Sequence, residues 1–251
     1  MPKFCANLTW LFTELPFLER FEAAKEAGFD AVEVLSPYDV NAQDIVKQLA
    51  KHDLHMALIN CPPPNYTGGE QGFAAVPGLE ARFRTDFKRA LRYAQTLGAQ
   101  HLHIMSGVAE GAAAKATFIE NLRWAAAEAP DQSLTIEPIN NDTIPGYFLN
   151  DFDLGREIVT LIDAPNLRLQ FDTFHAAKIT GDVLGTWDKM RDITAHVQVA
   201  QMPDRSEPDK GQIDYPAFYA GLDAQVYTGW VAGEYKPRAT TIAGVGWAAK
   251  G

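Results

Sequence analysis

Cysteine is nearly absent: Cys5 and Cys61 are the only two in 251 residues. Two thiols without CxxC spacing exclude a disulfide framework and a cysteine-rich metal site. A reducing, cytoplasmic setting is the expectation for such a chain. Long apolar runs are missing too, so no stretch reaches the length of a membrane span. The N-terminus lacks the basic segment and apolar core of a secretory signal. Positive charge is in deficit. With 22 Lys and Arg against 32 Asp and Glu the formal net charge is −10, which argues against nucleic acid or an anionic membrane as a partner. An anionic small molecule would need local positive charge, from Lys, Arg or a metal, against that global field. No GxGxxG follows the first apolar run and no P-loop occurs, which weakens a doubly wound nucleotide-binding sheet.

What is present is ordinary for a globular chain, with 47% hydrophobic and 22% charged residues. Short apolar runs alternate with amphipathic segments. Strands are expected at 4–8, 31–35, 54–60, 101–105, 133–137, 167–172, 194–199 and 229–234. Helices are expected at 14–27, 42–52, 79–97, 112–129, 151–162, 182–191, 215–222 and 240–249, with Gly28 and Gly98 as stops and Asn150 as an N-cap. A loop of roughly 17 residues follows the third strand and carries Pro62, Pro63, Pro64, Gly68 and Gly69; loops of that length are more often functional than accidental. Eight strand–helix repeats without a composition break predict a (β/α)8 barrel, one TIM-barrel domain over residues 1–251.

Strand parity then locates a site. Side chains alternate faces along a strand. If Leu167, Leu169 and Phe171 pack on helices, Arg168, Gln170 and Asp172 point into the barrel. The same rule sends His196 and Gln198 inward, with Ala232 and Glu234, Glu137, and on the earlier strands Asn7, Glu33, Asn60 and His103. An interior built for packing alone would use Val, Ile and Leu. Glu137, Asp172, Glu234 and the amide oxygen of Gln198 form an all-oxygen set suited to Mg2+ or Mn2+, and His103 or His175 would leave Co2+ or Zn2+ open. Three converging carboxylates without a cation would repel. Any one of them could instead belong to a structural ion pair, but shared parity and height are hard to explain that way. His101 is expected in the lower core and His52 and His55 at the surface. Trp10, Phe12 and Trp187 fit a pocket wall or plain packing, and residues 203–210 fit a solvated loop or a substrate lid.

Five segments taken together carry a resemblance: Phe4-Cys-Ala-Asn-Leu, Val32-Glu-Val-Leu-Ser-Pro-Tyr-Asp, Ile136-Glu-Pro-Ile-Asn, Gln170-Phe-Asp-Thr-Phe-His and Gly233-Glu-Tyr-Lys-Pro. From about Phe4 to about Trp247 the chain resembles the hydroxypyruvate isomerase family of xylose-isomerase-like barrels. The resemblance implies a divalent metal. It makes Glu137 and Glu234 paired acid/base glutamates that also bind metal, Asp172 and Gln198 the remaining ligands, and His175 a residue near substrate. Arg205-Ser-Glu-Pro stands where the family usually reads Arg-Gly-Glu-Pro, which implies that Arg205 and Glu207 face substrate. Asn60 and Lys236 are added to the substrate set from parity and charge. The family often has His before an Asn-Leu-Pro stretch, where this chain has Ile59-Asn60-Cys61-Pro62. The implied activity is isomerisation of hydroxypyruvate to tartronate semialdehyde. Also open are a 2-oxo-tetronate isomerase, a ketose 3-epimerase, a phosphodiester-cleaving nuclease and a non-catalytic sugar-binding barrel. Partners are expected to be a small hydroxy-oxo acid or sugar and a second copy of the chain.

Overall fold

The computed structural model describes residues 2–62 and 71–248. Pro63, Pro64, Gly68 and Gly69 of the expected functional loop lie outside them. The strands are β1 (Lys3–Asn7), β2 (Ala31–Glu33), β3 (His55–Met56), β4 (Leu58–Cys61), β5 (His101–Ile104), β6 (Ser133–Ile136), β7 (Leu167–Asp172), β8 (Thr194–Val199) and β9 (Trp230–Gly233). All pair in parallel, in the order β3-β2-β1-β9-β8-β7-β6-β5-β4.

Nine strands occupy eight positions because β3 and β4 are two pieces of the expected third strand, separated by Ala57. The ring closes across that residue: Ala57 N–H donates to Val32 O at 2.7 Å, and Ala57 O accepts from His101 N at 2.9 Å. Asn60 N–H continues the ladder to Leu35 O at 3.0 Å. The result is a (β/α)8 barrel.

Around it run α1 (Arg20–Glu26), α2 (Ala42–His52), α3 (Glu80–Leu97), α4 (Gly111–Glu128), α5 (Phe152–Ile162), α6 (Thr173–Thr180), α7 (Val183–Met190), α8 (Tyr215–Ala224) and α9 (Thr241–Gly244). Local chemistry sets their ends. Asn41 caps α2 by accepting from Gln43 N, and Gly98 closes α3 in the left-handed conformation at φ +63°. The first helix starts at Arg20, not residue 14. Pro16 biases its predecessor away from helix, so only a 3-10 turn, Phe17–Glu19, precedes α1. The single helix expected at 182–191 is preceded by a separate one, α6, which ends at Gly181 with φ +72°. The last helix is one turn, α9, continued by a 3-10 turn at Val245–Ala248. No helix among the described residues is long and apolar enough to cross a membrane.

Parity holds on β7. Phe171 lies outside the barrel wall, with ring centroids 5.3 Å from Phe152 and 5.3 Å from Trp187. Inside, toward the N-terminal end, Cys5, Ala31, Ala57 and Ala232 form a small buried apolar layer. Beside it His101 is buried, its Nδ1 2.8 Å from Ser133 Oγ, as expected for the lower core.

Candidate active site

Glu137 and Glu234 are each the first residue beyond a barrel strand, following Ile136 of β6 and Gly233 of β9. Asp172 ends β7 and begins the next element. Its Oδ1 caps α6 by accepting from Phe174 N at 2.7 Å, which leaves Oδ2 to face the lumen. His175, one turn into α6, follows it there. All four are buried. Glu137, Glu234, His175, Asn60, His103 and Arg205 line one cavity of about 320 Å³ at the C-terminal mouth of the barrel. Chemistry in this fold is done at that end.

Below them lies a polar lattice. Glu33 is fully buried and accepts from Asn7 Nδ2 at 2.7 Å, Gln198 Nε2 at 2.7 Å and His196 Nε2 at 2.6 Å. Holding the Gln198 nitrogen turns its Oε1 upward, where it accepts from Gln170 Nε2 at 2.6 Å. Gln170 Nε2 also donates to Glu137 Oε2 at 3.1 Å. Gln198 thus presents an oxygen directly behind Glu137, shared with Gln170, which sequence parity turned inward without giving it a role.

The loop after β8 behaves in two halves. Arg205, held in the left-handed region at φ +52°, turns its guanidinium inward between the rings of Trp10 and Phe174, at 5.1 Å from each centroid. Its Nη2 reaches Asp172 Oδ2 at 2.9 Å and Glu234 Oε1 at 2.7 Å. Trp10 is therefore a wall of this cavity; Phe12 serves packing, and Trp187 packs in the core while also lining a separate cavity at the other end of the barrel strands.

Glu207 turns the other way. Its Oε1 accepts from Arg238 N at 2.9 Å and its Oε2 pairs with Arg238 Nε at 2.9 Å, away from the cavity wall. Expected beside substrate, it instead anchors the segment after β9. Because β9 stops at Gly233, alternation does not carry to Lys236; its side chain is exposed, and its N–H donates to Arg205 O at 2.8 Å.

The electrostatics are those of an unbalanced acidic site: three buried carboxylates face one guanidinium. Burial, reinforced by Asp172 and Glu234, holds the Glu137 carboxyl well above its ordinary range. Burial pushes Glu234 up to about 8, with Arg205 opposing and Asp172 adding to the rise. Burial lowers His175 to about 4 and His103 to about 3, so both rings are neutral.

A hard cation fits this donor set. Carboxylate oxygens of Glu137 and Asp172 and a ring nitrogen of His175 lie within 4.8 Å of one another, all buried. The tautomer of His175 narrows the choice. Asn140 Oδ1 accepts from Asp142 N and Thr143 N, so its Nδ2 faces His175 Nδ1 at 2.6 Å, with the Asn140 N–H 3.3 Å away. Nδ1 accepts, which puts the proton on Nε2, 3.6 Å from Asp172 Oδ2. His175 therefore faces the site as a donor, which leaves Glu137 and Asp172 as the members of that cluster able to offer oxygens to a cation.

The sequence pattern of the xylose isomerase-like TIM barrel family matches residues 21–250. The chain belongs to that family. Across its length it is similar to a 2-oxo-tetronate isomerase of Cupriavidus necator, 44% identical over 98% of this chain and 97% of the relative. It is 37% identical to a hydroxypyruvate isomerase of Escherichia coli, over 98% of each chain. Among solved structures it superposes on a Brucella melitensis protein described as an AP endonuclease, family 2, with TM-score 0.94 and 43% identity, over 98% of both chains.

Proposed function

We propose that this protein is a divalent-metal-assisted isomerase of small hydroxy-oxo acids, with 2-oxo-tetronate ahead of hydroxypyruvate as substrate. The observation that carries the reading is the pair of buried glutamates, Glu137 and Glu234, on one cavity, with Arg205 joining Glu234 to Asp172. Identity of 44% to the four-carbon enzyme against 37% to the three-carbon one supports the order of substrates, which reverses the order expected from the resemblance.

Isomerisation moves a carbonyl by one carbon. One glutamate takes the proton from the hydroxyl-bearing carbon, giving an enediolate. The other returns a proton to the former carbonyl carbon, and a hydroxyl proton moves between the two oxygens. The raised carboxyls suit this work, since a base near its working pH both accepts and releases a proton. His175 Nε2–H donates to a substrate oxygen, and Arg205 offsets the charge of a carboxylate in a protein whose net charge is −10. Mg2+ or Mn2+, held by Glu137, Asp172, Glu234 and Gln198, would supply Lewis-acid stabilisation of charge on the reacting oxygens.

The name of the Brucella structure raises the nuclease reading. A nuclease of this kind would need a basic groove for a phosphate backbone, whereas this mouth is an acidic cavity of about 320 Å³ with one guanidinium turned down onto carboxylates. The isomerase reading is favoured.

The test supplies Mg2+ or Mn2+ and follows loss of each acid, with chelation as control and proton exchange in heavy water as a second readout. Glu137→Gln and Glu234→Gln should each lower turnover by on the order of 10²-fold or more. Near-normal turnover in both variants, or exchange that persists in both, overturns the mechanism.

A further inference from the structure

Two neutral histidines flank Glu137, and their tautomers are opposite. His175 Nε2 lies 4.0 Å from Glu137 Oε1, and His103 Nε2 lies 3.8 Å from Glu137 Oε2. His103 is fixed by a different asparagine from the one that holds His175. Its Nδ1 is 3.1 Å from Asn60 Oδ1, while Asn60 Nδ2 donates to Met105 Sδ at 3.9 Å. A thioether accepts but cannot donate, so only this orientation of the amide gives both of its ends a partner. The Asn60 backbone is pinned as well: its N–H donates to Leu35 O at 3.0 Å, and its carbonyl accepts from the Tyr38 hydroxyl. Asn60 Oδ1 therefore accepts from Nδ1–H, and in the neutral ring Nε2 carries a lone pair.

That lone pair has no hydrogen-bond partner among the described residues, although the ring is almost fully buried on the cavity wall. A buried acceptor without a donor is costly to leave unmade. Its neighbour across 3.8 Å, Glu137, is a proton-transfer group in the reading above. A bare acceptor opening on the cavity, with Glu137 beyond hydrogen-bond reach, calls for a donor from the bound molecule. A neutral hydroxyl fits; a carboxylate or carbonyl oxygen would be rejected.

We propose that His103 Nε2 accepts a hydrogen bond from the terminal hydroxyl of the substrate, and so selects a four-carbon hydroxy-oxo acid over a three-carbon one. The inference rests on the isomerase reading. Hydroxypyruvate has one hydroxyl, and the reaction uses it. A 2-oxo-tetronate has a second one beyond the reacting pair, and only this acid satisfies the Nε2 lone pair without giving up a reacting oxygen. Sites built to hydrogen-bond a substrate hydroxyl discriminate strongly against analogues that lack it. Asn60 is the positioning residue, acting through the tautomer of His103.

Two measurements test this. In 15N NMR of the parent protein, His103 should show a protonated Nδ1 and a bare Nε2. A protonated Nε2 overturns the inference whatever the protein catalyses. In kinetics, His103→Leu should lower the ratio of kcat/KM for 2-oxo-tetronate over hydroxypyruvate by about 30-fold. His103→Gln, which keeps an acceptor oxygen, should hold the ratio within about 5-fold of the parent. Mn2+ affinity of both variants, read by calorimetry, should stay within about 2-fold of the parent, as for residues outside the ligand set. Equal loss for both acids, or a drop in Mn2+ affinity that marks His103 as a ligand, overturns the assignment while leaving the isomerase reading intact. A parent protein that turns over neither acid overturns that reading, and hydroxyl selection with it.

Discussion

Glu234 shows how burial sets the working range of one group. Its carboxyl, pushed up to about 8, keeps its proton in the folded protein at a pH where the unfolded chain has lost it. The folded state then binds more protons than the unfolded one, so stability falls as pH rises toward the folded pKa. Between about pH 7 and 8.5 the lowered histidines are neutral in the fold and only fractionally protonated in the unfolded chain, so they oppose this slope near pH 7 and cease to matter above it. Metal-free protein should therefore melt at progressively lower temperature across that window, and Glu234→Gln should remove much of the slope. Saturating Mg2+ should flatten it by binding the ionised carboxylates of the folded state. A melting temperature that is level in chelator from pH 7 to 8.5 would refute the account. Arg205 and Glu207, two residues apart in sequence, make the complementary point. One reaches the site and the other ties down Arg238, because a left-handed residue at position 205 reverses the chain between them.

At the scale of elements, caps decide boundaries more sharply than periodicity does. The start of α5 was legible to within one residue, yet the cap is Asp151, whose carboxylate accepts from Leu154 N at 2.7 Å, while Asn150 donates to Tyr147 O. Both residue types are good caps, and the sequence pattern does not rank neighbours. Asp151→Ala should cost about 1 kcal/mol in urea unfolding, and Asn150→Ala should cost less; the reverse order would show that Asn150 holds the helix. Other misses have similar local causes. Pro16 cut short the helix expected from residue 14, and the break at Ala57 divided a run that reads as one strand. Short apolar runs report a strand's existence well, but its interruptions depend on what both neighbouring strands offer in hydrogen bonds.

At the scale of the molecule, the site was more legible than the outlines of the elements around it. Parity requires only that a strand have one packed face, and from sequence alone it groups Glu33, Glu137, Asp172, Gln198 and Glu234. It does not carry to Lys236, beyond the end of β9, and it cannot see that Glu207 turns back, because neither lies on a strand. The same division of faces says where stability resides. Above the small apolar layer of Cys5, Ala31, Ala57 and Ala232, the lumen is given over to hydrogen-bonded polar groups, whose net contribution per bond is small. The apolar shell between barrel and helices must then supply most of the folding energy. Phe171 sits in that shell, fully buried against Phe152, Trp187 and Phe218. It is one residue from Gln170 and from Asp172, yet on the opposite face. Phe171→Ala should lower unfolding free energy by about 3–5 kcal/mol, a large share of the roughly 5–15 kcal/mol typical of a whole domain. Gln170→Ala, on the lumen side, should cost less stability but should impair turnover by freeing Glu137 and Gln198. Denaturant unfolding of both variants, with activity measured on the folded fraction, separates the two faces. Equal stability losses would mean that the polar lumen carries as much of the fold as the shell.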